Sequence, residues 1–229
     1  VLVRARDTSE LDTDTGALSA SILGAAGASV GVNLMNNTVE AAIGAATVTT
    51  DAGGVDVQAT SSYDVDALAL GLSAAGLVAG VGTFTYNDLA NTTSASIRPD
   101  ASIDAAGSVE VTAVDTSSAH ANSGGLAASL GVGVGASIAL NTLDNRVEAY
   151  SDDADITAGT GTFTLDASSA NDVDALALAF AAAGIVGGYA TVTTDANGAI
   201  LSAVSRSGRP WTLGDLEHIR TIPSAVLCC

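Results

Sequence analysis

The feature that most constrains the fold of this chain is an internal 54-residue repeat. An asparagine recurs at this spacing, and a second asparagine follows each one four positions later. These six residues are Asn33, Asn37, Asn87, Asn91, Asn141 and Asn145. Self-similarity at a fixed period is typical of a protein that stacks copies of one structural unit. The repeat therefore predicts an elongated array and not a globular domain.

A second, 108-residue period is sharper than the first. The segment DVDALALGLSAAGLVAG from Asp64 recurs as DVDALALAFAAAGIVGG from Asp172. Val1 aligns with Val109, so we expect the chain to open in mid-repeat and to be a piece of a longer array. The sequence predicts about four units over residues 1–204. Residues 205–229 form an atypical tail, interpreted either as a terminal cap or as a truncated or frame-shifted unit.

Composition excludes several classes of protein. The 229 residues carry a net charge of −18, with 7 basic residues against 25 acidic ones, which excludes binding to a nucleic-acid backbone. Intrinsic disorder is excluded because 48% of the residues are hydrophobic. Only 3% are aromatic, so the core must consist of small side chains. Cys228 and Cys229 are the only cysteines, which excludes an internal disulfide framework.

Each unit contains a stretch of about 20 residues without charge, and three structures compete for it. Transmembrane spans are disfavoured because the stretches are rich in Ala and Gly and no Lys or Arg cluster flanks them. Helices are disfavoured by glycine runs and by β-branched strings such as TVTT at Thr47. Large residues alternate with small ones at Leu68, Leu70 and Leu72, which is the period of a β-strand. We therefore expect strands and no transmembrane span.

These patterns predict an all-β fold, a parallel β-solenoid with about five short strands in each repeat. The six repeated asparagines are interpreted as turn residues. The sequence leaves open whether one repeat forms two coils of about 27 residues or three of about 18. Because coils stack at about 4.8 Å, either arrangement places Asn33 and Asn87 two or three layers apart. We therefore expect no direct asparagine ladder.

Candidate chemistry is sparse, and the sequence predicts no enzyme. His120 takes the place that Asp66 and Asp174 hold in other copies, and His218 lies in the tail, so neither supports a catalytic set. Paired aspartates at Asp64, Asp66, Asp172 and Asp174 are the metal candidates. Their oxygen ligands suit Ca²⁺, and no other cofactor is expected. The alternative interpretation of these aspartates is a solvated acidic face.

The units GLAASLGVGVGASIALNTLDNRVEAY and GALSASILGAAGASVGVNLMNNTVEAA resemble repeats of large bacterial secreted and surface proteins. These include filamentous-haemagglutinin-like adhesins and leukotoxin-type repeat proteins. The resemblance covers Val1 to about Val204 and rests on the pattern G-x-G-A-S-[VI]-x-[VL]-N-x-x-x-N-x-V-E-A. It implies a right-handed parallel β-helix that projects from the cell and contributes to adhesion. No catalytic residue carries over.

We therefore expect a structural and adhesive stalk segment of an exported bacterial surface protein. Its expected partners are host or environmental surface ligands, such as glycans, and flanking repeats of the same polypeptide. It is expected at the cell surface, associated with the outer membrane, or in the extracellular space. Two alternatives come from other classes: a β-helix enzyme that acts on polysaccharides, and a solenoid that binds Ca²⁺ or ice.

Overall fold

The protein is all-β, as the alternation of its sequence predicts. A computed structural model describes residues 1–194 and 200–207, and every regular element in those residues is a β-strand. Because the described residues contain no helix, none of them offers a helix that could cross a bilayer. The strands stack in register in parallel sheets, which is the architecture of a parallel β-solenoid.

Each complete coil contributes four strands, one long and three progressively shorter. The strands are Leu2–Ser21 (β1), Gly24–Met35 (β2), Thr38–Ile43 (β3), Thr47–Thr50 (β4), Val55–Ala75 (β5), Val78–Leu89 (β6), Thr92–Ile97 (β7), Ser102–Ala105 (β8), Val109–Ser129 (β9), Val132–Leu143 (β10), Arg146–Ser151 (β11), Asp155–Ala158 (β12), Phe163–Ala183 (β13), Val186–Thr194 (β14) and Ile200–Ser207 (β15).

Equivalent strands of successive coils form the sheets. The long strands make the front sheet, in the order β1-β5-β9-β13, and the second strands make the back sheet, β2-β6-β10-β14. The third sheet is β3-β7-β11, and the fourth sheet is β4-β8-β12. At the edge of the back sheet, β15 pairs antiparallel with β14. Residues 208–229, most of the predicted tail, lie outside the described residues.

One coil uses one whole repeat, because strand partners in the front, back and third sheets are 54 positions apart. Leu2 pairs with Asp56 in the front sheet, and Gly24 pairs with Val78 in the back sheet. The expectation of five short strands and of two or three coils in each repeat is wrong. A strand of 21 residues is about 70 Å long, so one flattened coil accommodates the whole repeat.

The fourth sheet departs locally from this register. Thr47 pairs with Ser102, 55 positions on, whereas Ser102 pairs with Asp155, 53 positions on. The turn before β8 holds one extra residue and includes Pro99 and Asp100, which has a φ of 63°. The next turn is one residue shorter than its counterpart in the preceding coil, so the front sheet keeps its register.

The first third of the front strands β1, β5 and β9 covers an aliphatic core. Val55, Val57 and Ala59 are buried there against Ile97 of the third sheet and Ile103 of the fourth. The strand residues between them face outward and are more exposed, which is the two-residue period of a half-buried strand. This part of the coil therefore follows the ordinary rule of apolar residues inside and polar ones outside.

The other end of the coil is lined by small residues. In the front strand β5, Ala67, Ala69 and Gly71 are buried, whereas Leu70 and Leu72 are 51% and 40% exposed. A Cβ atom added at Gly71 would collide with Val81 of the back sheet. The large residues of the alternating segment thus face outward, because the narrow space between the two sheets admits only small ones.

A buried asparagine ladder connects the front and back sheets. Asn33 donates from Nδ2 to Oδ1 of Asn87 at 3.0 Å, and Asn87 donates in the same way to Asn141 at 2.9 Å. Each Nδ2 also donates to a front-sheet carbonyl, that of Asp66 in the case of Asn33 and of His120 in the case of Asn87. The expectation of no direct ladder is wrong because one coil, and not two or three, separates successive asparagines.

The assignment of all six asparagines to turns is also wrong in part. Asn33, Asn87 and Asn141 lie inside strands of the back sheet, where their amides are buried. The other three do lie in the short breaks between the back and third sheets: Asn37, Asn91 and Asn145. Positive φ among the described non-glycine residues falls at Asp100 and Asp153. The in-strand asparagines thus act through their side chains and not through their backbone conformation.

We predict that Asn87→Ala lowers the free energy of unfolding by about 3 kcal/mol, because it leaves buried polar partners in Asn33, Asn141 and the carbonyl of His120. Denaturant midpoints followed by far-ultraviolet circular dichroism measure the loss. Asp88→Ala, the outward neighbour in the same strand, serves as the control and should change stability by less than about 0.5 kcal/mol. Equal effects of the two variants would contradict a stabilising ladder.

We predict that Gly71→Ala destabilises the protein by about 1–3 kcal/mol through overpacking against Val81. In the combined variant Gly71→Ala/Val81→Ala, at least half of that loss should return, because the smaller side chain makes room for the added methyl group. A double-mutant cycle of denaturant midpoints measures this coupling. Additive effects would show that the two side chains do not compete for space.

Candidate functional site

The predicted metal candidates lie on the outer face of the front sheet. Pairing of the front strands aligns them in two rows that cross the coils. The first row is Glu10, Asp64, Ser118 and Asp172, and the second is Asp12, Asp66, His120 and Asp174. The strand period of two residues brings both members of each DVD motif to the same face. The structure thus places the four predicted aspartates on one acidic surface.

One compact group stands out on this surface among the described residues. Ligand atoms of Asp64, Asp66 and His120 all lie within 4.8 Å of one another. Ser118 donates from Oγ to Oδ1 of Asp64 at 2.6 Å. Asp174 approaches His120 from the next coil, with 3.8 Å between Nδ1 of the histidine and Oδ2 of the aspartate. His120 therefore lies between two aspartates of neighbouring coils.

The two DVD motifs do not form a single site. Asp64 and Asp172 have Ser118 between them in their row, so their strands are two coils apart, or about 9.6 Å. The structure brings together Asp64 and Asp66, and places Asp174 close to His120. Sequence reasoning missed His120 because it treated the residue as a variable surface position. Its alignment with Asp66 and Asp174 in the repeat would have placed it between these two aspartates if the coil length had been known.

Burial and charge act together on Asp66. Partial burial raises the pKa of Asp66 above its ordinary value, and His120 opposes that shift. The neighbouring carboxylates Asp64, Asp12 and Asp14 raise the pKa of Asp66 further. The ionised row is thus electrostatically unfavourable, and a cation near it would relieve the repulsion.

Two carboxylates and one imidazole can bind a divalent cation. Ca²⁺ prefers six to eight oxygen ligands, whereas imidazole favours transition metals such as Zn²⁺. The group therefore fits the predicted Ca²⁺ less well than four aspartates would. Metal binding stays a prediction, and a solvated acidic row explains the same geometry.

A second polar network, which sequence reasoning also missed, lies inside the coil. Asp115 is 1% exposed and accepts hydrogen bonds from Ser61 Oγ at 2.6 Å, Ser117 Oγ at 2.9 Å and Asn145 Nδ2 at 2.9 Å. One hundred and eight positions earlier, Asp7 accepts from the hydroxyl of Tyr63 at 3.2 Å. The 108-residue spacing of these two aspartates was the sequence signal that could have predicted equivalent positions for them in the coil.

This network is structural. Three donors satisfy the buried Asp115 carboxylate, and buried polar groups with partners of this kind stabilise one packing arrangement. Burial and the neighbouring Asp7 carboxylate raise the pKa of Tyr63 to about 12. The hydroxyl of Tyr63 therefore stays protonated at neutral pH and acts as a hydrogen-bond donor to Asp7.

Comparison with known proteins adds no relative. No family model, curated protein or solved structure matches the chain. The class of the protein is therefore defined by its own architecture, a parallel β-solenoid of flattened coils.

We predict that Asp66→Asn raises the melting temperature at pH 7. The pKa of Asp66 is higher in the folded state than in the unfolded state, so the penalty for ionising it in the fold grows as the pH rises above the unfolded value and is complete above the folded value. As the pH falls below the ordinary value of 3.8, both states become protonated and the gain should shrink toward zero. Differential scanning calorimetry at pH 7 and pH 3.5 measures the difference.

The control for this pH prediction is Asp51→Asn, which removes the same charge from an exposed turn. It separates a local effect at Asp66 from a general reduction of the net charge. A gain for Asp66→Asn that is equal at both pH values, or equal to that of Asp51→Asn, would contradict the assigned cause.

Proposed function

We propose that this chain is a structural and adhesive stalk segment of an exported bacterial surface protein. The observation that supports the proposal is the in-register stacking of coils, which holds from the pair Leu2–Asp56 through the whole front sheet. Stacking adds about 4.8 Å of length for each coil without widening the cross-section. An array of this kind grows only along its axis, as a stalk must.

The hydrogen bonds between coils run along the same axis. In each of the four sheets, backbone hydrogen bonds join one coil to the next. The ladder of Asn33, Asn87 and Asn141 adds a side-chain connection inside the coils. Each coil contacts mainly its neighbours, so stability accumulates with the number of coils. These contacts support a mechanical function for the segment, in which tension or compression is transmitted from coil to coil.

The outer surface supports the adhesive part of the proposal. Each outward position recurs on every coil about 4.8 Å from its equivalent. A ligand with repeated groups, such as a surface glycan, can therefore meet several equivalent side chains at once, and weak contacts then add up. Further 54-residue units, a signal peptide and a secretion domain in the full open reading frame would support export, and a short isolated gene would contradict it.

We predict that the array lengthens without widening when whole coils are inserted. Residues 55–162 form two consecutive coils, so two extra copies placed after residue 162 add four coils. The height along the coil axis should increase by about 19 Å in a shape reconstruction from small-angle X-ray scattering, while the long dimension of the coil, about 70 Å, stays unchanged. The denaturant midpoint should also rise, because each new interface adds stability. A scrambled insert of equal length is the control, and a wider particle would contradict the stalk proposal.

A further inference from the structure

One end of every coil has its polarity inverted. We define the apolar end as residues 16–32, 68–86, 122–140 and 176–192, which contain no charged side chain. It includes 17 of the 23 exposed large hydrophobic residues in the described part of the chain. Exposed apolar patches of this extent indicate an interaction with an apolar partner.

Hydroxyl groups, by contrast, lie inside the apolar end. Thr83 donates to Ser137 at 2.9 Å, and Ser123 and Ser137 share a hydrogen bond of 2.6 Å. Ser73 donates to the carbonyl of Ala25 at 3.0 Å. These hydrogen bonds satisfy the named hydroxyls from inside the protein, within one coil or between neighbouring coils. The outside is the face that is left without a protein partner.

The exposed apolar surface covers three sides of this end. Leu70 and Leu72 lie on the outer face of the front sheet, and Val30 and Val32 lie on the outer face of the back sheet. The turns that join the two sheets carry a third set of exposed residues. These are Ile22 (86%), Leu23 (68%), Leu77 (57%), Leu130 (79%) and Ile185 (77%). A partner with a single flat face would cover only one of the three sides.

In the second coil, the apolar end stops at the same depth on both faces. The hydrogen bond from Asn33 to the carbonyl of Asp66 shows that these positions lie opposite each other. In the front sheet of this coil, Asp66 is the charged residue nearest to the apolar end. Asp88 has that place in the back sheet. Asp88 adjoins Asn87, which pairs with Asn33. Charge thus begins at the same depth on both sides of the second coil, and Asp14 of the first coil extends it by one row on the front sheet.

Tyr86 lies just inside this boundary on the back sheet. Its hydroxyl reaches Thr142 Oγ1 at 3.4 Å, on the side nearer Asp88. An aromatic ring with its polar group turned toward the aqueous side is the arrangement that membrane interfaces favour.

The apolar end is deep enough to enter a bilayer. The length of strand from Leu68 to the end of β5 is about 23 Å. This length exceeds the thickness of one leaflet, which is half of a hydrocarbon core of about 30 Å.

We propose that the apolar end of the coils inserts into the hydrocarbon of a lipid bilayer, with the acidic rows at the headgroup level. A fluid apolar phase covers two faces and a rim together, which one-sided docking of a second copy does not, and it agrees with the matched depth of the boundary on the two faces of the second coil. Backbone groups of the inner strands β5 and β9 are hydrogen-bonded on both sides, as a lipid environment demands.

The charge of the chain selects the lipid. A net charge of −18 and acidic rows at the boundary oppose approach to an anionic surface. We therefore expect binding to zwitterionic phosphatidylcholine and weaker binding to phosphatidylglycerol. This inference goes beyond the stalk proposal, because an array that lengthens as predicted can still fail to bind lipid.

The experiment is flotation of the full chain with phosphatidylcholine vesicles on a density gradient. We expect the protein to float, and we expect Leu72→Glu on the front sheet and Val32→Glu on the back sheet each to weaken binding at least tenfold. Thr60→Glu is the matched control, since it adds the same charge to the front sheet outside the apolar end. It should change binding less than twofold, and circular dichroism confirms folding of each variant.

A second measurement uses substitutions that keep the surface apolar. In a Trp211→Phe background, Leu72→Trp, Val32→Trp and Leu77→Trp should all be quenched by brominated phosphatidylcholine. Absence of flotation, or an effect of variants on one face only, would overturn the proposal. A third outcome would also overturn it: the protein binds no vesicles but forms oligomers in sedimentation velocity, and Leu72→Glu abolishes those oligomers. A second copy of the chain would then cover the apolar end.

Discussion

The hydrogen bonds that join Asn33, Asn87 and Asn141 act in two directions at once. Along the axis they connect successive coils, and across the coil they hold the back sheet against carbonyls of the front sheet. Both directions depend on one condition, which is that equivalent residues of successive coils lie beside each other. A coil of any other length would separate the amides and leave them buried without partners. The ladder therefore fixes the period of the structure as firmly as the backbone does.

The sequence was sufficient for the fold class but not for the coil. Period-two alternation at Leu68, Leu70 and Leu72 predicts strands, and the repeat predicts stacking, because both signals are local or periodic. Alternation does not reveal which set of residues faces inward. That choice depends on the distance between the sheets, which at Gly71 leaves no room for a Cβ atom beside Val81. Coil length was missed for a similar reason, since a strand of 21 residues exceeds the usual length.

The acidic site shows the same limit. Repeated DVD motifs predicted Asp64 and Asp66 on one face, and the strand period ensured it. His120 joined them only through pairing between coils, which no spacing within one coil can show. Each coil thus has an acidic portion and an apolar end. Because only small residues fit inside the apolar end, few aromatic side chains occur in the chain.

The extra residue beside Pro99 and Asp100 has a consequence for how such an array changes over evolutionary time. The extra residue at that corner shifts only the fourth sheet, because the next turn is one residue shorter and restores the register of the front sheet. A change of length that the next turn compensates therefore stays within a single coil. Corners of the fourth sheet can accept insertions or deletions and diversify while the asparagine ladder remains aligned. The same corners are suitable places for engineered loops or tags.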